Sequence, residues 1–256
     1  MSLGTFPFGQ PVKRVEQKDR APKQVFVLGV YASAVHARWE GNNGRVVVRA
    51  LAVDSEPYIF WRGDEAEEIV GRINIPTELG KLVAAGERFN GPSGIALDEL
   101  ILNPMGLRRE DAWLCDLVPH GCMNRSQRKA LERAYLPQVD KYGLPIPTVP
   151  QVPRRLADEQ RRKAILDEFD ESRAGVLILL GDKPIQWFLK CFDDRWHRLS
   201  DFPQYGQLYT AQVGEKVVQV LPLAHPRQIA KLGLFSKKWF GLHQDWLSQC
   251  AVKVLK

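Results

Sequence analysis

Short apolar runs punctuate the chain at residues 24–28 (QVFVL), 112–118 (AWLCDLV) and 175–180 (GVLILL), each almost free of polar side chains. Runs of this length fit strands buried on both faces, as in a parallel sheet. A fourth, RVVVRALAV at 45–53, follows Gly-Asn-Asn-Gly at 41–44 and predicts a hairpin with the segment around 35–39. Residues 207–213 and 216–223, joined by Gly214 and Glu215, read as a second hairpin. Helical patterns fall between these runs. Residues 93–103 have apolar positions at 95, 97, 100 and 101, with Ser93 available as a cap. Residues 126–135 and 157–169 are basic and amphipathic, Asp182 before Pro184 marks a short helix through 188, and 237–247 forms the last one. Five prolines within 137–153 predict an extended surface loop there. Residues 1–23 are polar and basic, a mobile arm or an edge covering, and 24–256 is expected to form one domain. The alternation of strand and helix predicts an α/β fold: a three-layer α/β/α sandwich with a central, mainly parallel sheet. Its functional site is expected at the carboxyl ends of the strands.

Composition narrows the class. The 256 residues, 45% hydrophobic and 26% charged, suffice for a sizeable core. No run of about 18 apolar residues is present, which argues against a membrane-spanning helix. The first twenty residues lack the apolar core of a secretory signal, so a cytoplasmic location is expected. Four cysteines make no disulfide framework and no CxxC occurs. Cys115, His120 and Cys122 lie close in sequence, but no fourth ligand has matching spacing, so no metal is expected.

The charge is uneven. Residues 121–163 contain ten Lys and Arg against four Asp and Glu, and so carry the whole net +6. Residues 224–240 add Arg227, Lys231, Lys237 and Lys238 with no acid. Local excess of this kind suits a polyanion such as nucleic acid, or else two solvated basic surfaces.

Four segments should meet at the strand ends: 29–36, 89–94, the stretch around Asp116, and 223–228. Each also has an ordinary structural reading. Gly29 can serve a tight turn, Phe89 a core, Asp116 a buried hydrogen bond, and His225 a turn before Pro226.

The stretch GERFNGPSGIALDELILNPMGLRREDAWLCDLVPHGCMNR, residues 86–125, resembles the uracil-DNA glycosylase superfamily, and is most similar to its iron–sulfur bacterial and archaeal branches. The family pattern G-x-x-F-x-G-x-x-G-x-x-L-D-x-L is filled by Gly86, Phe89, Gly91, Gly94, Leu97, Asp98 and Leu100. The following strand is filled by Asp111 to Asp116, and the loop after it by Asn124 and Arg125. Leu180-Gly181 resembles the family's Leu-Gly, and His225-Pro226 its His-Pro-Ser.

The resemblance implies a protein that flips a nucleotide out of DNA and hydrolyses its N-glycosidic bond in DNA repair. It implies that His225 stabilises the departing base and that Asp116 reads the base or positions water. Phe89 and Asn90 would line the base, framed by Gly29, Val30 and Tyr31. Pro226, Arg227, Ile229 and Lys231 would meet DNA, with Ile229 as the apolar wedge and Leu232 and Leu234 in reserve. DNA is the implied partner of a monomer that uses neither a cofactor nor a membrane.

Four departures from the pattern qualify this. Val30 and Tyr31 stand where the family carries an acidic or amide residue that positions water. Asp116 replaces Asn, and an ionised Asp only accepts hydrogen bonds, which favours a base presenting amino or ring N–H donors. Arg227 replaces the Ser after His-Pro. No Cys occurs in the first 114 residues, so no cluster is expected. Two alternatives follow: a catalytically inactive nucleic-acid-binding member of the fold, or a hydrolase of free nucleosides or nucleotides.

Overall fold

The computed structural model describes residues 3–233 and 235–249. Among these the strands are β1 (Val25–Tyr31), β2 (Ala34–Glu40), β3 (Val46–Ser55), β4 (Lys81–Ala84), β5 (Ala112–Val118), β6 (Val176–Leu180), β7 (Tyr209–Val213) and β8 (Lys216–Leu223). The α-helices are α1 (Ala66–Gly71), α2 (Pro92–Leu97), α3 (Arg125–Ala130), α4 (Leu136–Tyr142), α5 (Glu159–Ser172), α6 (Asp182–Trp187), α7 (Pro226–Ile229) and α8 (Ser236–Gln249).

The chain divides into two compact units. The first takes the N-terminal segment up to Val15, then Ala32–Pro92 and Pro119–Pro153; the second takes Glu16–Tyr31, Ser93–Val118 and the chain from Arg154 on.

The second unit carries a five-stranded sheet in the order β5-β1-β6-β8-β7, flanked by helices. All its neighbours are parallel except β7 and β8, which form the expected hairpin. This is the mainly parallel α/β arrangement that the apolar runs imply. Every residue of β5 is buried, although the strand lies at one end of the sheet order, as a strand covered on both faces requires. Gly29 does not make a turn: it continues β1, paired opposite Asp116. Helix α5 starts where the Asp158 carboxylate accepts the Arg161 amide at 2.8 Å, an N-cap that satisfies one orphan donor.

The first unit holds an antiparallel sheet ordered β3-β2-β4. The β2–β3 hairpin matches the expectation, whereas β4 is too short to announce itself. Residues 3–15 are no loose arm. Phe6, Phe8, Val12 and Val15 are buried, the Phe8 ring packs edge-on to Trp39 and Tyr135, and the Phe8 amide donates to the Tyr135 hydroxyl at 2.9 Å. The proline-rich loop also begins later than expected. Pro137 falls in the first turn of α4, where its missing N–H costs nothing, so the helix runs to Tyr142.

Candidate active site

The carboxyl ends of β5, β1, β6 and β8 lie side by side in that order. At about 4.8 Å per strand, Asp116 on β5 and the segment leaving β8 stand roughly 14 Å apart along this edge, with β1 and β6 between them. Gly29, Val30, Tyr31, Asp116, Pro226, Arg227, Ile229, Lys231 and His225 all belong to this second unit; Phe89 and Asn90 belong to the first.

Alternation along β5 fixes which way Asp116 points. Trp113 and Cys115 turn toward α5: the Trp113 indole donates to Glu168 at 3.2 Å, and Arg161 approaches the Cys115 sulfur at 3.1 Å. Asp116, one residue on, therefore faces the opposite side of the sheet. Arg161 reaches it only from behind, donating to its backbone carbonyl at 2.6 Å and to that of Leu117 at 3.2 Å while pairing with Glu168 at 3.1 Å. One of the ten basic residues of 121–163 is thus a structural clamp.

Asp116 is buried. Desolvation raises its carboxyl pKa to about 7, against the lowering effects of the Arg161 charge and of a hydrogen bond from the Val30 amide; Glu168 adds a smaller push upward. Beside it in the sheet stands Gly29. Registered neighbours in a parallel pair project to the same face, so Gly29 sets no side chain against the flank of Asp116.

His225 caps α7. Its Nδ1 accepts the Arg227 amide at 3.2 Å, its own amide donates to the Gln228 side chain at 3.3 Å, and Pro226 fills the first helical position. A backbone N–H only donates, so the neutral ring must carry its hydrogen on Nε2. Burial, helped by the Arg227 charge, lowers the His225 pKa to about 4. The ring is a neutral donor at physiological pH. Gly181, after β6, makes room for it. Its amide donates to the Leu223 carbonyl at 2.7 Å, its φ is +85°, and a Cβ there would lie 3.3 Å from that of His225. The Leu-Gly and His-Pro motifs are therefore two sides of one contact.

Other expected site residues take different parts. Asn90 is buried in the first unit with its amide engaged: Oδ1 accepts the His36 amide at 2.8 Å, and Nδ2 donates to the carbonyls of His36 and Ala85 at 2.9 and 2.8 Å. It holds backbone rather than presenting a base-reading edge. Gly91 passes so near the backbone that a Cβ would fall 1.9 Å from the Arg62 carbonyl carbon. Asp98 pairs with Arg109 at 2.9 Å, a structural bridge. Phe89 is 43% exposed. Tyr31 is exposed at the end of β1, and Val30 brings no polar side chain.

Ile229 is fully buried within α7 and cannot enter a duplex from there. Leu232 is half-buried, and Leu234 lies outside the described residues. Sequence reading passed over Phe235, which is 78% exposed with φ +57°. It stands between Lys231 and the Lys237–Lys238 pair, a setting that its lysine neighbours could have signalled. The Lys231 ammonium sits 3.8 Å from the centre of the Phe240 ring.

Among the described residues no three His, Cys, Asp or Glu side chains are grouped to hold a metal ion, and no helix is long and apolar enough to cross a membrane. The Cys122 sulfur and the His120 ring stand 3.7 Å apart, and burial lifts the Cys122 thiol to about 11, which leaves it protonated.

No curated protein matches the chain. The family model for the uracil DNA glycosylase superfamily matches residues 76–242, a span that begins before the Phe89 segment and ends beyond the His225 loop. With well over half of its length matched, the chain belongs to the uracil-DNA glycosylase superfamily.

Proposed function

We propose that this protein excises a deaminated base from DNA, with His225 and Asp116 holding opposite ends of the flipped base. The observation that carries this is the hydrogen on His225 Nε2. As the C1′–N bond breaks, its electron pair leaves with the base, and negative charge grows on a base carbonyl oxygen. A neutral Nε2–H donor placed there stabilises the transition state. Water supplies the new bond to C1′, and its surplus proton passes to solvent while the departed base is reprotonated.

Asp116 reads the base as a neutral carboxylic acid. In that form it offers one acceptor and one donor, the same pair that an Asn amide presents. Its C=O accepts a ring N–H and its O–H donates to the adjacent carbonyl, an edge found in uracil and hypoxanthine. The expectation of a base presenting amino or ring N–H donors rested on an ionised Asp116, whereas a pKa raised by burial to about 7 keeps the neutral acid populated at cellular pH. Phe235 replaces Ile229 as the group that fills the gap in the duplex, while Arg227, Lys231, Lys237 and Lys238 meet phosphates.

Duplexes carrying a single uracil, hypoxanthine, xanthine or alkylated base, incubated with excess protein and then treated with alkali, test the reading. Cleavage at the deaminated bases is expected; no abasic product from any duplex overturns it. Phe235→Ala is expected to slow release from duplex by about tenfold, in line with roughly 1–3 kcal/mol per base–aromatic stack, and to spare release from single strands. The apolar side chain at Val30 favours a second reading, a binding module without catalysis. Salt-dependent DNA binding with no product and no effect of His225→Ala would select it.

A further inference from the structure

A buried chain of hydrogen bonds runs beneath the His225 loop, and no motif contains its two side chains, Tyr205 and His243. The Ala224 amide donates to the Tyr205 hydroxyl oxygen at 3.1 Å. That hydroxyl lies 2.7 Å from His243 Nδ1, and His243 Nε2 lies 2.7 Å from the Leu100 carbonyl.

The direction of the chain follows from its ends. A carbonyl only accepts, so His243 carries its hydrogen on Nε2 and must accept at Nδ1. Tyr205 then donates to His243, which leaves its oxygen lone pairs for the Ala224 amide. Each group has one arrangement open to it. His243 and Ala224 are fully buried, so neither has water as a substitute partner. Burial also lowers the His243 pKa to about 4 and raises that of the Tyr205 phenol, keeping both neutral. Trp246, one helical turn on from His243, donates from its indole to the Gly206 carbonyl at 2.9 Å and so ties the Tyr205 segment to α8 a second time.

We propose that Tyr205 and His243 are positioning residues for His225: they fix the amide immediately before it, and through that amide the place at which its imidazole is presented. The catalytic consequence rests on the function proposed above, whereas the placement of the ring does not.

The test reads the imidazole directly in the full-length protein without DNA. Two-dimensional 1H–15N spectra follow the tautomer and titration of His225 in the parent, in Tyr205→Phe and in His243→Leu. Loss of the hydroxyl or of its acceptor is expected to raise the His225 pKa by about one unit toward its ordinary value, as water enters the loop, and to mix its tautomers. His243→Gln, which again offers one donor and one acceptor, is expected to restore the parent titration in part. Folded variants with a lower melting temperature but an unchanged His225 titration overturn the proposal. If Tyr205→Phe does not fold, His243→Leu decides on the same criterion.

The activity arm uses a duplex with one uracil under single-turnover conditions. Here Tyr205→Phe is expected to cut the rate about tenfold with little change in the half-saturating protein concentration. A parent protein that releases no base defeats the proposed function and leaves the imidazole measurement standing, so the two failures are distinguishable.

Discussion

Asp116 and His225 occupy opposite ends of one sheet edge, and burial pushes both toward neutrality from opposite sides. The carboxyl rises to about 7 and the imidazole falls to about 4. The difference lies in what remains to be titrated. His225 is held neutral across the whole physiological range by burial and the Arg227 charge, and a backbone amide points at its Nδ1, where a second hydrogen would set N–H against N–H. Asp116 has no such lock. Desolvation favours the neutral form, the Arg161 charge and, more weakly, the Val30 hydrogen bond favour the charged one, and the resulting pKa of about 7 leaves both forms populated at cellular pH. One end of the site is fixed and the other is adjustable.

The largest effect should come from the fixed end. His225→Ala is expected to lower single-turnover base release by about 10²–10³-fold, the usual cost of removing a donor from a developing anion, with duplex binding unchanged. The adjustable end should set the pH profile. Base release is expected to fall about tenfold per unit as pH rises above about 7 and Asp116 loses its proton, and to fall again near pH 4 as His225 is protonated. A profile that climbs through pH 7 would assign Asp116 to water activation instead.

Asp116→Asn sharpens the contrast further. It keeps one donor and one acceptor, so release at pH 6 is expected to stay within about tenfold of the parent, and the alkaline limb to vanish. The variant should also be more stable than the parent at pH 8. A raised carboxyl pKa favours the folded state most below the unfolded value of 3.8, and that advantage is lost as pH rises to about 7. Denaturant unfolding at pH 8 should show a gain on the order of 2–4 kcal/mol, and at pH 4 almost none. His225 has the opposite sign: its lowered pKa gives stability present above 6.5 and lost as pH falls toward 4. The smallest effect belongs to Glu168→Gln. Removing this negative charge behind β5 should move the alkaline limb slightly to lower pH in the same assay.

The parallel sheet was legible because its strands are doubly buried and thus apolar without interruption, as in AWLCDLV and VLILL. The hairpins were legible from their turns. The N-terminal packing was not, since Phe6, Phe8, Val12 and Val15 follow neither a helical nor a strand period. At the site, Asp116 and His225 were visible as motif positions, but their protonation was not, because it depends on burial and on the amides of Val30 and Arg227. The burial of Ile229 in a four-residue helix and the exposure of Phe235 a few residues on were not legible, since neither follows from local pattern. Tyr205 and His243 left no local signal, being joined to each other and to Leu100 only through the tertiary fold.

The interleaving of the two units also governs when each can form on the ribosome. The first unit draws on three separate stretches and is complete once Pro153 has emerged. The second starts at Glu16, within the span of the first, yet its strand β1 needs β6 as a neighbour, and β6 needs β8. Roughly 145 residues of synthesis therefore separate the end of β1 from β6, the neighbour that completes its pairing. An exposed strand of this kind is a site for chaperone binding or misassembly, so the burden of folding this protein falls on VFVLGVY, the segment that later frames Asp116.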